Sequence, residues 1–276
     1  MRTTRRTMGL AAACLAVLAM ADAQASEAKA TAAGATAAKG AGATSQVPAV
    51  DPAALAALEK MGGTLRGLQR FSVRSDAEIE VVLDSGQKIE LDQAIQYRVH
   101  KPGHLRVDMK GANFERQVFF NDGQLTIWAP QKKYYAAVAT QAKTLPELVA
   151  NAASQYGLEL PLTDLFLWGT DAAPLSDITA AFKVGEGLVD GERVDHWALR
   201  EQGIDWQVWI SQATSLPRKL VITGLDDPSQ PEFTAQLHWD TKSPIAGDAF
   251  VFQPPADAAK IALAPVAGVV LFDEEK

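Results

Sequence analysis

Residues 99–109, which read VHKPGHLRVDM, hold two histidines four positions apart with an arginine and an aspartate close behind. Imidazole and carboxylate groups bind zinc and act as general acids and bases, so this stretch raises the question of a metal or catalytic site. Pro102-Gly103 predicts a turn between two strands. His100 and His104 would share a face on a helix, but we expect them not to share one across this turn. No third ligand is spaced to help, and we expect no metal here.

Other catalytic signatures are missing from the sequence. It contains no Gly-x-Ser-x-Gly elbow, no His-Glu-x-x-His and no phosphate-binding loop. Glu78 and Glu80 could serve as acid and base, but on one strand face they are more typical of solvated charges that pair with nearby basic side chains. Asp164, the one acid in an apolar run, is expected to cap a helical turn. The sequence therefore indicates a protein that is not an enzyme and uses no cofactor.

Two-residue periodicity dominates the chain. The odd-numbered residues from Phe71 to Leu83 are apolar and the residues between them are mostly polar, which predicts a half-buried strand. Similar runs joined by short turns follow, and the last lies at Phe250–Phe252. We expect about ten or eleven strands, nearly all in hairpins between neighbours in sequence. The fold class is mainly β (α+β): one large curled antiparallel sheet or half-open barrel with a helical lid.

Two segments break this pattern. Asp51-Pro52 predicts the start of a helix that ends near Gly67. A second helix should run from Leu145 to Tyr156, followed by a strongly apolar run to Gly169. Two helices cover a large sheet incompletely, which would leave an apolar cavity of the kind that holds acyl chains, although the same residues could pack as a solid core. The predicted ligand-binding residues of the cavity and lid are Tyr97, Trp128, Leu145, Leu148, Val149, Leu158, Leu160, Leu162, Leu165, Phe166, Trp168 and Trp206.

The first 25 residues have the pattern of a cleavable secretory signal peptide. Three arginines precede an apolar run from Met8 to Ala21, and Ala23-Gln24-Ala25 is a small-x-small cleavage site. The apolar run continues for seven residues beyond Cys14, which disfavours a lipoprotein anchor at that cysteine. We expect a disordered linker at 26–50, a folded domain at 51–262 and a flexible tail at 263–276. Export without a remaining cysteine is typical of a bacterial periplasm.

The acidic balance of the chain limits its partners. The net charge is −7 at pH 7, and removal of the arginine-containing signal makes the remainder more acidic. Such a surface repels phosphate backbones and anionic headgroups, so we do not expect nucleic acid as a partner. We also expect no stable membrane insertion after signal cleavage.

Several stretches together carry a family resemblance. Lys101-Pro102-Gly103-His104-Leu105-Arg106, Asn121-Asp122-Gly123 and Phe250-Val251-Phe252-Gln253-Pro254-Pro255 resemble the periplasmic lipoprotein carrier LolA and its relatives. The runs at 156–165 and 205–210 resemble a family of predicted periplasmic proteins, a domain of unknown function with a LolA/LolB-like fold. The resemblance covers residues 51–261 and implies a half-open barrel with a lid over an apolar cavity. It also implies that Lys101 stands where the carrier uses an arginine to hold the lid, although lysine lacks the planar fork of arginine.

Three functions remain open at this stage. The first is a periplasmic binding or carrier protein for a hydrophobic ligand, a lipid or a lipoprotein acyl chain. The second is an envelope sensor or regulatory module that binds a protein partner. The third is a hydrolase of an envelope lipid, for which the sequence offers no nucleophile.

Overall fold

A computed structural model describes residues 50–168, 170 and 173–264. The predicted signal peptide, the predicted linker up to residue 49 and the tail from residue 265 onward lie outside these residues.

Twelve strands form one sheet in the order β12-β6-β5-β4-β3-β2-β1-β11-β10-β9-β8-β7. All neighbours are antiparallel except β12, which runs parallel to β6. Within the described residues β7 and β12 remain opposite edges, so the sheet is open. The predicted fold class is confirmed, with one or two more strands than expected. The strands are β1 (Arg70–Val82), β2 (Lys88–His100), β3 (His104–Gly111), β4 (Glu115–Asn121), β5 (Gln124–Ala129), β6 (Tyr134–Ala139), β7 (Ala180–Val189), β8 (Glu192–Glu201), β9 (Ile204–Ser211), β10 (Pro217–Gly224), β11 (Glu232–Asp240) and β12 (Ala259–Lys260).

One face of this sheet, which we call the inner face, carries the core. Alternation along β1 buries Phe71, Val73 and Ile79, together with Ser75, and leaves the even-numbered polar residues on the other face. Register then aligns buried residues across strands, as where Tyr97 of β2 lies opposite Val107 of β3. The inner face is therefore a continuous apolar surface that other parts of the chain must cover.

In the part of the chain that the structure describes, three α-helices lie outside the sheet: α1 (Pro52–Gly67), α2 (Leu145–Tyr156) and the single turn α3 (Asp164–Leu167). Asp51 accepts a hydrogen bond from the Ala53 amide and Pro52 opens α1, as the sequence predicts. The hydroxyl of Thr144 caps the start of α2. Gly157, with φ of 61°, ends it in the left-handed conformation that glycine adopts without strain.

The connection between β6 and β7 determines where the cover lies. β6 lies next to the edge strand β12 and β7 is the opposite edge, so residues 140–179 must cross from one side of the sheet to the other. The crossing segment contains α2 and α3, and its buried side chains belong to the same core as the inner face. We call residues 145–168 the lid. Helix α1 packs beside α3 and completes the cover.

The predicted strand at Phe250–Phe252 is wrong, since residues 247–250 form a 3-10 turn and β12 comes later. Pro254 and Pro255 lack the amide hydrogens that a strand ladder needs. The segment instead packs through its aromatic side chains. The Phe252 ring lies 5.4 Å from that of Phe119 and 5.0 Å from that of Tyr135, on the outer face of the sheet.

Candidate functional site

The lid meets the inner face through large apolar side chains. Seven of the predicted lid residues are buried, and Val149 and Leu158 are half-buried. The buried ones are Leu145, Leu148, Leu160, Leu162, Leu165, Phe166 and Trp168. Their burial fits both a packed core and a surface that a ligand could share.

Tyr97 and Trp206 contact the lid from the sheet, as the sequence predicts for residues facing inward. The Tyr97 hydroxyl donates a hydrogen bond to the Pro161 carbonyl. The Phe166 ring lies 5.6 Å from the Tyr97 ring, and the Trp168 indole stacks on that of Trp206 with centroids 6.0 Å apart. These contacts place the second half of the lid over the middle strands of the sheet.

Trp128 does not belong to this site. It lies opposite Gln117 in the β4–β5 ladder, whereas Ile127 and Val118 point to the inner face. Its ring packs 5.7 Å from Phe252 on the outer face. The prediction that Trp128 lines the lid cavity is therefore corrected, because strand alternation directs its side chain away from the lid.

The hydrogen bonds that Lys101 makes within the described residues go to α1 and not to the lid. Its ammonium donates to the carbonyls of Leu65 at 2.9 Å and Arg66 at 3.2 Å, at the C-terminal end of the helix. Cations are favoured there because the last carbonyls lack intrahelical partners. Burial, together with the nearby charge of Arg66, lowers the Lys101 pKa. Arg66 itself donates to the Trp168 carbonyl at 2.9 Å, so α1 links Lys101 to the lid.

A buried acid, Asp164, lies at the start of α3. It is 3% exposed, and burial and the charge of Glu201 raise the pKa of its carboxyl to about 7. Glu201, at the end of β8, accepts a 3.0 Å hydrogen bond from Trp206 Nε1, and burial raises its pKa as well. Trp168 follows Asp164 by one helical turn and stacks on Trp206, so the two acids and two indoles form one group between lid and sheet.

Two further polar atoms at the lid are buried without a hydrogen-bond partner in the described part of the chain. They are Trp168 Nε1 and Glu159 Oε2. Burial also raises the Glu159 pKa. An unpartnered buried polar atom costs roughly 1–3 kcal/mol, so each such atom calls for an explanation.

The sequence predicts Asp164 as a helix cap and does not show that the charge of Glu201 acts on it. The capping expectation is wrong in detail, because Asp164 is the first helical residue of α3, and Thr163 precedes it. Burial is the largest cause of the raised pKa of both carboxyls, and it results from packing between residues far apart in the sequence. In the sequence, the only sign of this environment is that Asp164 is an acid within an apolar run.

The two histidines of the opening stretch lie in a tight hairpin. His100 pairs directly with His104 in the β2–β3 ladder, and their rings are 5.6 Å apart, so the expectation that they do not share a face is wrong. A three-residue loop brings the flanking residues face to face. His104 Nδ1 lies 2.8 Å from Asn121 Oδ1. Among the described residues, no group of three or more histidines, cysteines or acids is arranged to hold a metal ion.

A groove of about 730 Å³ lies on the outer face of β1 and its neighbours. Its walls carry Asp76, Glu78, Asp92 and Lys219, among other residues. These charged and solvent-accessible walls do not suit an acyl chain.

The described domain coincides with a known family. The profile of the family described as "Predicted periplasmic protein (DUF2092)" matches residues 54–264. The chain belongs to this family. In this DUF2092 protein, the matched range includes every strand and the whole lid. No curated protein matches the chain.

Several solved structures are similar to this DUF2092 protein. The Pseudomonas aeruginosa MucA/MucB complex matches with 18% identity and a TM-score of 0.40, over 74% of this chain and 62% of that one. LprF from Mycobacterium bovis matches with 12% identity and a TM-score of 0.42, over 78% of this chain and 100% of that one. A LolA superfamily protein from Nitrosomonas europaea matches with 10% identity and a TM-score of 0.33, over 72% and 97%. The chain thus spans less than two thirds of the MucB-containing chain, and these likenesses say nothing about ligand or activity.

Within the ranges that the structure describes, every helix is too short or too polar to cross a bilayer.

Proposed function

We propose that this protein is a periplasmic binding or carrier protein for a hydrophobic ligand, a lipid or a lipoprotein acyl chain, held between the inner face and the lid. The supporting observation is the crossing of residues 140–179 from one side of an open sheet to the other. A cover attached at opposite sides and packed through apolar side chains can be displaced without breaking the sheet ladder.

On this proposal, a ligand enters by replacing the apolar lid side chains that contact the inner face. Burying a large apolar side chain stabilises by about 1.5–3 kcal/mol, so the seven buried lid side chains contribute on the order of 10–20 kcal/mol. A 16-carbon acyl chain gains about 0.8 kcal/mol per buried methylene, also on the order of 10 kcal/mol. Because the two quantities are similar, an acyl chain can replace lid contacts at little net cost.

Two hydrogen bonds seen among the described residues connect the lid to parts of the protein that are distant in sequence. The Tyr97 hydroxyl donates to the Pro161 carbonyl, and the Arg66 guanidinium donates to the Trp168 carbonyl. Apolar contacts are non-directional, so the lid can be repositioned once these bonds break.

The test uses the protein purified from its native envelope and examined by native mass spectrometry. We expect a bound lipid in the wild type and its loss in Leu148→Asp and Leu165→Asp, which place a charge under the lid. Leu188→Asp on β7 is the matched control, because Leu188 is 69% exposed and should tolerate the charge. Circular dichroism checks that the strands remain folded.

Two results would count against the proposal. Lid variants that retain as much lipid as the wild type would show that the lid does not line the site. A wild type that carries no lipid and takes up none from added vesicles would refute hydrophobic-ligand binding altogether.

A protein-partner function is the second candidate, and edge strand β7 favours it. Phe182, Val184 and Leu188 are 40%, 50% and 69% exposed, which is unusual for large apolar residues on one strand. Edge strands also present unpaired backbone groups to other chains. If a partner binds there, cross-linking in the envelope should depend on Val184 and Leu188 and be lost on their replacement by lysine, with bound lipid unaffected.

A further inference from the structure

The polar group between lid and sheet bears on what kind of ligand the protein would take. It contains the carboxyls of Asp164 and Glu201 and the indole nitrogen of Trp168. Trp168 is 6% exposed, and its Nε1 lacks a partner among the described residues. The indole stacks on Trp206, which itself donates to Glu201. A buried donor without an acceptor thus lies in the same group as one buried acid, Asp164, and one half-buried acid, Glu201.

No basic side chain is seen to balance these acids in the described structure. The charge that acts on Asp164 is that of Glu201, and the charge that acts on Glu201 is that of Asp177, so each neighbour is itself acidic. Arg66, the cation that reaches this part of the lid, donates to the backbone carbonyl of Trp168. The surroundings therefore disfavour an anionic partner.

We propose that this group receives the polar head of the bound amphiphile, and that the head is uncharged and carries hydroxyl groups, as in a monoacylglycerol. The inference rests on the proposed function, since it presumes an acyl chain under the lid. It adds the chemical class of the head.

Hydrogen-bonding capacity distinguishes the possible heads. A hydroxyl both accepts and donates, so it can accept from Trp168 Nε1 and donate to Asp164 or Glu201. A carboxylate or phosphate head accepts from the indole but meets two acids that have no proton to donate once ionised. An ammonium head donates to the acids but has no lone pair for the indole, and it would bury a charge at considerable cost. The hydroxylated head alone satisfies both kinds of group.

The experiment compares three 16-carbon amphiphiles that differ in the head: monopalmitoylglycerol, palmitate and hexadecylammonium. Their affinities for the full-length wild-type protein, after removal of bound lipid, are measured at pH 8 below the critical micelle concentration of each. We expect monopalmitoylglycerol to bind at least about tenfold more tightly than palmitate, the scale of a single like-charge repulsion in a partly buried site.

Isosteric variants test the origin of this preference. The double variant Asp164→Asn with Glu201→Gln removes both charges. It should reduce the ratio of the affinities for monopalmitoylglycerol and palmitate at least about threefold. Glu78→Gln, on the outer face, is the matched control and should leave this affinity ratio unchanged. Trp168→Phe removes the indole donor and should weaken monopalmitoylglycerol binding.

The outcomes separate this inference from the proposed function. Equal binding of palmitate and monopalmitoylglycerol, or tighter binding of the ammonium amphiphile, would overturn the head-group assignment and leave hydrophobic-ligand binding intact. A preference for monopalmitoylglycerol that survives unchanged in the double variant would also overturn it. Failure of all three amphiphiles to bind would refute the proposed function itself.

Discussion

The buried carboxyl of Asp164 makes the stability of the lid depend on pH, and Asp164→Asn tests this. Its pKa is raised from 3.8 to about 7 by burial and by Glu201. Below pH 3.8 the group is protonated in both folded and unfolded chains and costs nothing. As the pH rises from there to about 7, the Asp164 carboxyl loses its proton in the unfolded chain but keeps it in the folded one. The free energy of unfolding therefore falls steadily over this range.

The magnitude follows from the pKa difference. Each unit corresponds to about 1.4 kcal/mol, so the shift from 3.8 to about 7 amounts to a penalty on the order of 4 kcal/mol, complete above pH 7. Glu201, whose pKa is also raised, acts in the same direction. Asp164→Asn has nearly the same shape and cannot ionise. The free energy of unfolding of this variant should therefore equal that of the wild type near pH 4. At pH 8 it should be higher by up to about 4 kcal/mol.

The assay is urea unfolding at intervals from pH 4 to 8.5, followed by circular dichroism. Hydrogen exchange of residues 158–168 at the two ends of the range reports whether the lid opens before the sheet. Asp84→Asn, in an exposed turn between β1 and β2, is the control. If the difference in unfolding free energy between Asp164→Asn and the wild type does not grow between pH 4 and 8, the reasoning is refuted.

Other parts of the molecule give further expectations. Trp206→Ala should cost about 3–5 kcal/mol in urea unfolding because Trp206 is buried under the lid, whereas Trp209→Ala, on the outer face against His196, should cost roughly 1 kcal/mol. Equal losses would contradict the assignment of faces. Lys101→Met should cost about 1 kcal/mol by removing the donor to the end of α1, and Lys101→Arg should restore most of it in thermal unfolding. Phe252→Ala should destabilise by about 2–3 kcal/mol and leave lipid content in native mass spectrometry unchanged, because its aromatic partners lie on the outer face. Loss of lipid in that variant would show that the two faces are coupled.

Local rules predict most of the sheet and both long helices. Alternation in β1 and β2 and the caps at Asp51 and Gly157 act over a few residues, so the sequence shows them directly. The open edges follow less directly. The two series of hairpins are joined by the pairing of β1 with β11, a contact between residues far apart in the chain.

Trp128 shows how an accessible signal was overlooked. In β5 the apolar residues Leu125 and Ile127 share one face, so strict alternation places Trp128 with Thr126 on the other. Its size and apolar character suggested the interior, but a second apolar cluster around Phe252 exists to receive it. Phe252 lies more than a hundred residues later, and the sequence offers no rule that pairs the two.

The lid is the part for which sequence reasoning is least decisive, and the reason is physical. Leucine side chains that fill a core and leucine side chains that give way to an acyl chain obey the same pattern, because both leave water for apolar surroundings. Polar residues distinguish the two cases better. A buried acid at Asp164 and an unpartnered nitrogen of Trp168 in the same place both destabilise a core whose only role is packing. A stabilised Asp164→Asn protein that has also lost its preference among head groups would mean that the acid is retained for binding and not for folding.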